Sequence, residues 1–221
     1  MNFNWQIWLA PLQQIAETGG TVVVILMCVS VLTLAVILYK TWQFSAAGVG
    51  RHKALSQAVS HFDSNNRTAA MTALRQSTSY LAPVIELATS DQTHDSARLN
   101  AEAETQFSKL ERGLRFLDSV AQLAPLLGLF GTVLGMIAAF QALQDAGSQV
   151  DPSILAGGIW VALLTTAAGL VVAMPTALIL SWFESRMEAE RVFADRAIQT
   201  VLHPSGIRSP TPAPLHQPAH A

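Results

Sequence analysis

Charge is scarce in this chain. Only 13% of its 221 residues are Asp, Glu, Lys or Arg, while 51% are hydrophobic. A soluble domain usually carries about 25% charged residues, so the composition argues for a membrane protein. Cysteine is nearly absent: Cys28 stands alone in an apolar run, which excludes an internal disulfide. A net charge of -2 gives no reason to expect a nucleic-acid partner. No P-loop, Cys-His cluster or G-x-S-x-G string occurs, and no nucleophile–base pair stands out, so neither an enzyme nor a cofactor or metal site is expected. The polar stretch from Thr41 to Arg115 shows no strand-like alternation either.

Three long apolar runs are present: residues 20–39, 117–143 and 156–183. About 20 apolar residues span a bilayer. The first and third runs carry no charge, and the second is interrupted near its start by Asp118. The last two have 27 and 28 residues, roughly 40 Å of helix at about 1.5 Å per residue. That exceeds a hydrocarbon core of about 30 Å, so these helices should tilt or protrude.

Basic residues are missing from two stretches, before Lys40 and between Arg115 and Arg186. Nine lie between Lys40 and Arg115, and Arg186, Arg191, Arg196 and Arg208 follow the third run. With three spans, all thirteen fall on one side. Basic loops stay in the cytoplasm, so the N-terminus and the 144–155 loop are expected outside, the central region and the tail inside.

The first 19 residues lack the charged start and the cleavage site of a signal peptide. Trp5, Trp8, Leu9, Leu12, Ile15 and Ala16 recur at helical spacing, which suits a helix lying in the outer interface. Trp42 and Trp182 would mark the inner one. Short helices are expected over 56–62, 67–77 and 82–89, with a turn at "DSNN". Leu99, Ala103, Phe107, Leu110, Leu114, Leu117 and Ala121 form one stripe in steps of three and four. It predicts a single helix running into the second span. The tail 203–221, rich in proline, is expected to be disordered.

The second run, "APLLGLFGTVLGMIAAF", carries Pro125, Gly128, Gly131, Thr132 and Gly135. The third, "ALLTTAAGLVVAMPTALI", carries Thr165, Thr166, Gly169 and Pro175. Small residues in apolar spans let helices approach closely. Two helices of one subunit, each threonine bonded to its own backbone, would account for much of this. A hydroxyl beside small residues in the middle of both runs asks for more.

These two strings resemble the second and third spans of the ExbB/TolQ/MotA proton-channel stator subunits. Three spans rather than four favour the ExbB/TolQ branch. The resemblance implies an all-α membrane protein with three transmembrane helices, whose long second and third helices extend into the cytoplasm, assembled as a homopentameric ring. On this plan the segments are an outer helix 1–19, spans 20–39, 116–143 and 156–183, an inner helical region 40–115, the loop 144–155, an inner helix 184–202 and the tail. The resemblance implies that Thr132 and Thr166, with Thr165 beside them, lie on the ion path. The glycines and prolines would shape the packing. It also implies residence in the bacterial inner membrane, contact with lipid, an ExbD-like or TolR-like single-span partner, and a TonB-like or TolA-like protein to receive the motion.

One position departs from the pattern. The family often has an acid five residues before the threonine matching Thr166, and here Val161 stands there. Asp118 becomes the candidate pore-mouth acid, or simply a solvated partner of Arg115. Three functions stay open: the TonB-type motor, the Tol-Pal motor that constricts the envelope, and a passive scaffold ring without ion coupling.

Overall fold

In the computed structural model, residues 6–89, 95–146 and 152–205 are described, with side chains from Gly20 onward. Every element among them is a helix. The expectations for Trp5, for the faces of 6–19, for residues 147–151 of the 144–155 loop and for the tail beyond Ser205 lie outside these residues and side chains. The chain divides into two compact units. One is Met1–Thr41 with Gly113–Glu184, and the other is Trp42–Arg112 with Ser185–Ala221.

The first unit holds three helices long and apolar enough to cross a membrane. Helix α1, Gln6–Ala46, is kinked at Gly20, whose φ of 67° is left-handed. Only glycine takes that conformation without strain, and the stretch from Gly20 on is the apolar one. Helix α6, Leu114–Asp145, keeps Pro125 inside it, and α7, Pro152–Leu202, keeps Pro175. Val22 and Leu26 of α1, Val120 and Ala124 of α6 and Ala173 of α7 are buried together. The exposed surface of α6 and α7 is large and apolar, with Leu126, Phe130, Ile137, Leu163, Val171 and Leu178 all more than half exposed except Ile137 at 49%. Such a face is stable against lipid or other helices, not against water.

The second unit contains α2 (Lys53–Asp63), α3 (Arg67–Arg75), α4 (Ala82–Thr89), α5 (Ser96–Glu111) and the end of α7 from Ser185. Asn66 caps α3 by accepting from the Ala69 N–H at 3.2 Å, and Asp95 caps α5 by accepting from Ala97 at 2.9 Å. The "DSNN" turn places Asn65 at φ 58°, an αL position asparagine tolerates. Leu55, Ala58, Leu74, Ile85, Leu99, Ala103, Phe107, Ala194, Ala197 and Ile198 are buried.

The single helix expected from Leu99 to Ala121 is two helices. Arg112 leaves helical geometry at ψ 121°, Gly113 turns left-handed at φ 96°, and α6 starts at Leu114. The stripe of buried residues continues across the break, so periodicity alone concealed it. Gly113 is the residue that makes it sterically free.

Candidate functional site

Helices α6 and α7 touch backbone to backbone. A β-carbon built on Gly128 would stand 2.9 Å from the Thr165 carbonyl oxygen and 3.1 Å from the Thr166 Cα. One on Gly169 would stand 2.6 Å from the Ala124 carbonyl oxygen, and one on Gly131 would lie 2.7 Å from the Thr165 side chain. Gly135 meets Ala162 one turn further along, at 3.2 Å. These glycines therefore set the helix separation, as the small-residue rule for apolar helices requires. The nearby Pro125 is half-buried, and Pro175 faces outward.

The three threonines sit around this contact in different ways. Thr165 is 2% exposed. Its hydroxyl donates to the Ala162 carbonyl at 2.7 Å and also reaches the Gly128 carbonyl of α6 at 3.3 Å. Thr166, half-buried, donates to the same Gly128 carbonyl at 3.4 Å. Thr132, also half-buried, donates to the Leu129 carbonyl at 2.6 Å. Each hydroxyl hydrogen is thus used on backbone, which leaves the oxygen lone pairs of Thr132 and Thr166 as acceptors. Thr165 is turned into the helix pair, whereas Thr132 and Thr166 stand at its margin.

Val161 is half-buried and its neighbour Trp160 is 65% exposed. Asp118 is exposed and accepts from the Gln122 side chain at 2.7 Å, one helical turn on, instead of pairing with Arg115.

The second unit contains a polar cluster that sequence reasoning missed. Glu190, 3% exposed, lies on α7 beyond the apolar span. Its Oε1 accepts from the Gly50 N–H at 2.8 Å, and its Oε2 accepts from His52 Nε2 at 2.6 Å and from the Tyr80 hydroxyl. His52 Nδ1 is 3.0 Å from the Ser79 hydroxyl, and its ring stacks on Phe193 with centroids 4.6 Å apart. Burial pushes the Glu190 carboxyl up. The hydrogen bonds from His52, Tyr80 and Gly50, with the charge of His52, outweigh burial and hold it below its ordinary value. Tyr80 is held far above its own, first by burial and then by Glu190.

The next residue, Arg191, binds Glu104 at 2.9 Å and Glu111 at 2.7 Å on α5 and lies 5.5 Å from the Phe107 ring centroid. Residues so far apart in sequence leave no local motif. The available signal was Glu190 itself, an acid in the buried stripe Met187, Glu190, Ala194 and Ala197.

The model of the MotA/TolQ/ExbB proton channel family matches residues 63–195. The biopolymer transport protein exbB1 of Vibrio cholerae is 40% identical over 90 residues, which cover 39% of this chain and 40% of the relative. The Tol-Pal system protein TolQ of Haemophilus influenzae is 37% identical over 91 residues, covering 41% and 40%. An ExbB-like biopolymer transport protein of Synechocystis, ExbB-like 3, is 30% identical over 173 residues, 76% of this chain and 82% of its own length. The matched stretch spans less than half the length of the Vibrio and Haemophilus relatives.

Proposed function

Because the chain belongs to the MotA/TolQ/ExbB proton channel family, we propose that it is the multi-span stator subunit of a motor driven by the proton motive force. It sits in the bacterial inner membrane with its N-terminus outside and its C-terminus in the cytoplasm. Five copies form a ring whose inner wall is α6 and α7. A single-span partner, ExbD-like, enters the ring, and the motion reaches a TonB-like protein that energises transport across the outer membrane.

The observation that carries this reading is the α6–α7 pair. Its glycines hold two long apolar helices in backbone contact, and Thr132 and Thr166 offer acceptor oxygens at the edge of that contact. Between Val120 and Trp182 the sequence has no acid except Asp145 and Asp151, which the proposed topology puts in the outer loop. Threonine does not titrate at physiological pH, and intramembrane carboxylates are the usual relay. The relay carboxylate therefore belongs to the partner helix. Val161 is an apolar neighbour of that carboxylate, and the threonine oxygens accept from its protonated form.

A second reading, a TolQ-like subunit with TolR-like and TolA-like partners, is favoured by the TolQ relatives, whose identities of 37% and 38% nearly equal the 40% of exbB1. Expression in strains lacking either native stator separates the two. Restored TonB-dependent uptake supports the first reading, and restored detergent resistance with normal constriction supports the second.

A further inference from the structure

The segment joining α1 to α2 is held down at two points by one side chain of α7. Gly48 and Gly50 both take left-handed backbone conformations, at φ 70° and 78°. This sharp path brings the Gly50 N–H onto Glu190 Oε1 and places His52, the residue before α2, on Oε2. From the start of α4, Tyr80 donates to Oε2 as well, and Ser79 faces the far nitrogen of the imidazole. We infer that this cluster is a proton-sensing latch: a buried site that binds one proton at His52 and thereby tightens the hold of Glu190 on the segment 47–52.

The hydrogen-bond inventory shows why the site has two states. Glu190 only accepts, so His52 Nε2 carries a hydrogen in both. With neutral imidazole, Nδ1 is an acceptor and the Ser79 hydroxyl donates to it, while the Ser79 oxygen accepts from the Leu81 N–H at 3.2 Å. With a proton on Nδ1, the Ser79 hydroxyl must turn and accept. The Nε2 contact to Glu190 then becomes a charge-assisted bond, roughly twice as strong as a neutral one. The gain is opposed by the Ser79 hydrogen, which gives up its acceptor in a buried position. Two states with opposing terms are what a switch needs, and histidine is the side chain whose ordinary titration falls in the physiological range.

The other charged groups around the pair do not replace this role. Tyr80 is held protonated by burial and by Glu190. Arg186 lies over Gly50, where a β-carbon would be 2.5 Å from its guanidinium nitrogen. Arg191 is held by Glu104 and Glu111 of α5, and Lys53 and Arg51 are exposed. Phe193 and Phe107 close the remaining sides with apolar rings. The latch does not depend on the motor reading. If that reading holds, it faces the compartment that receives the protons.

The test uses the full chain in detergent micelles, labelled for NMR at glycine nitrogen and histidine carbon. The His52 ring signals and the Gly50 amide are followed together from about pH 8 to about pH 6, the range histidine ordinarily spans. Exchange of the Gly50 amide, corrected for the intrinsic rate, should slow severalfold over the same range. In His52→Gln, which keeps an N–H donor but cannot titrate, Gly50 should stay protected with no pH dependence. Tyr80→Phe should keep the pH dependence at a lower level of protection. A His52 titration that leaves Gly50 exchange flat in the unaltered chain overturns the inference, whether or not the variants fold. The same slope in His52→Gln as in the unaltered chain also overturns it.

Discussion

Gly169 of α7 faces the Ala124 carbonyl of α6 so closely that a β-carbon would stand 2.6 Å from that oxygen. The obstacle is backbone, which no rotamer change can relieve. Gly169→Ala should therefore push the helices apart and cost about 1–3 kcal/mol, the usual range for overpacking. Gly157 is the control, because nothing lies within 4 Å of its would-be β-carbon. Gly157→Ala should be neutral or slightly stabilising. Thermal unfolding of the two variants in the same detergent measures the contrast.

Thr132→Val and Thr166→Val keep shape and remove the hydroxyl. Neither side chain is fully buried, so expression and assembly should stay near normal while energised transport falls sharply. Thr→Ser should be milder at both positions. Thr165 should behave differently: buried at 2% exposure against Gly131, its serine variant loses a packed methyl and should lower stability by about 1 kcal/mol. Uptake assays at matched protein levels, with melting curves, check all three.

The three helices of spanning length were legible in composition. Three apolar runs need only local counting, and helices α2, α3 and α4 lie close to where periodicity puts them. Two things were not legible. Gly113 breaks a stripe whose spacing continues undisturbed, because a left-handed glycine can turn the chain without disturbing which residues face inward. The Glu190 cluster joins residues 138 and 110 positions apart, and neither His52 nor Tyr80 sits in a motif. Only the fold brings them together. At the threonines, the sequence pattern treated Thr165 and Thr166 alike, whereas a 100° step around the helix turns one into the pair and leaves the other at its margin.

Acid should loosen the second unit through Glu190. Its carboxyl is held below the ordinary 4.5 by His52, Tyr80 and Gly50, so the folded chain takes up this proton at lower pH than the unfolded chain. The stabilisation is complete above pH 4.5 and is lost as pH falls through the depressed value. Glu104, lowered by Arg191, works in the same direction. Glu190→Gln should flatten the acid limb of the stability curve. Glu190→Ala leaves the Gly50, His52 and Tyr80 donors without their acceptor and should cost about 1–3 kcal/mol at neutral pH. Denaturant titrations at pH 3.5, 5 and 7 distinguish these effects.

The one-sided placement of the thirteen basic residues fixes an expected topology. A cysteine at Ser148, in a Cys28→Ser background, should react with an impermeant thiol reagent applied from outside. One at Ser108 should react only after the membrane is opened. The reverse pattern would invert the proposed orientation.

The central claim is that this subunit supplies an apolar, threonine-edged wall and its partner supplies the titrating carboxylate. Proton flux into liposomes under an imposed potential tests it most directly, with the subunit reconstituted alone and with its co-purified single-span partner. The account predicts near proton-tightness for the subunit alone and flux in the complex. That flux should disappear when the partner's intramembrane aspartate becomes asparagine, and it should fall with Thr132→Val. Robust flux through the subunit alone would contradict the account, because no residue between Val120 and Trp182 within the apolar layer could carry the proton.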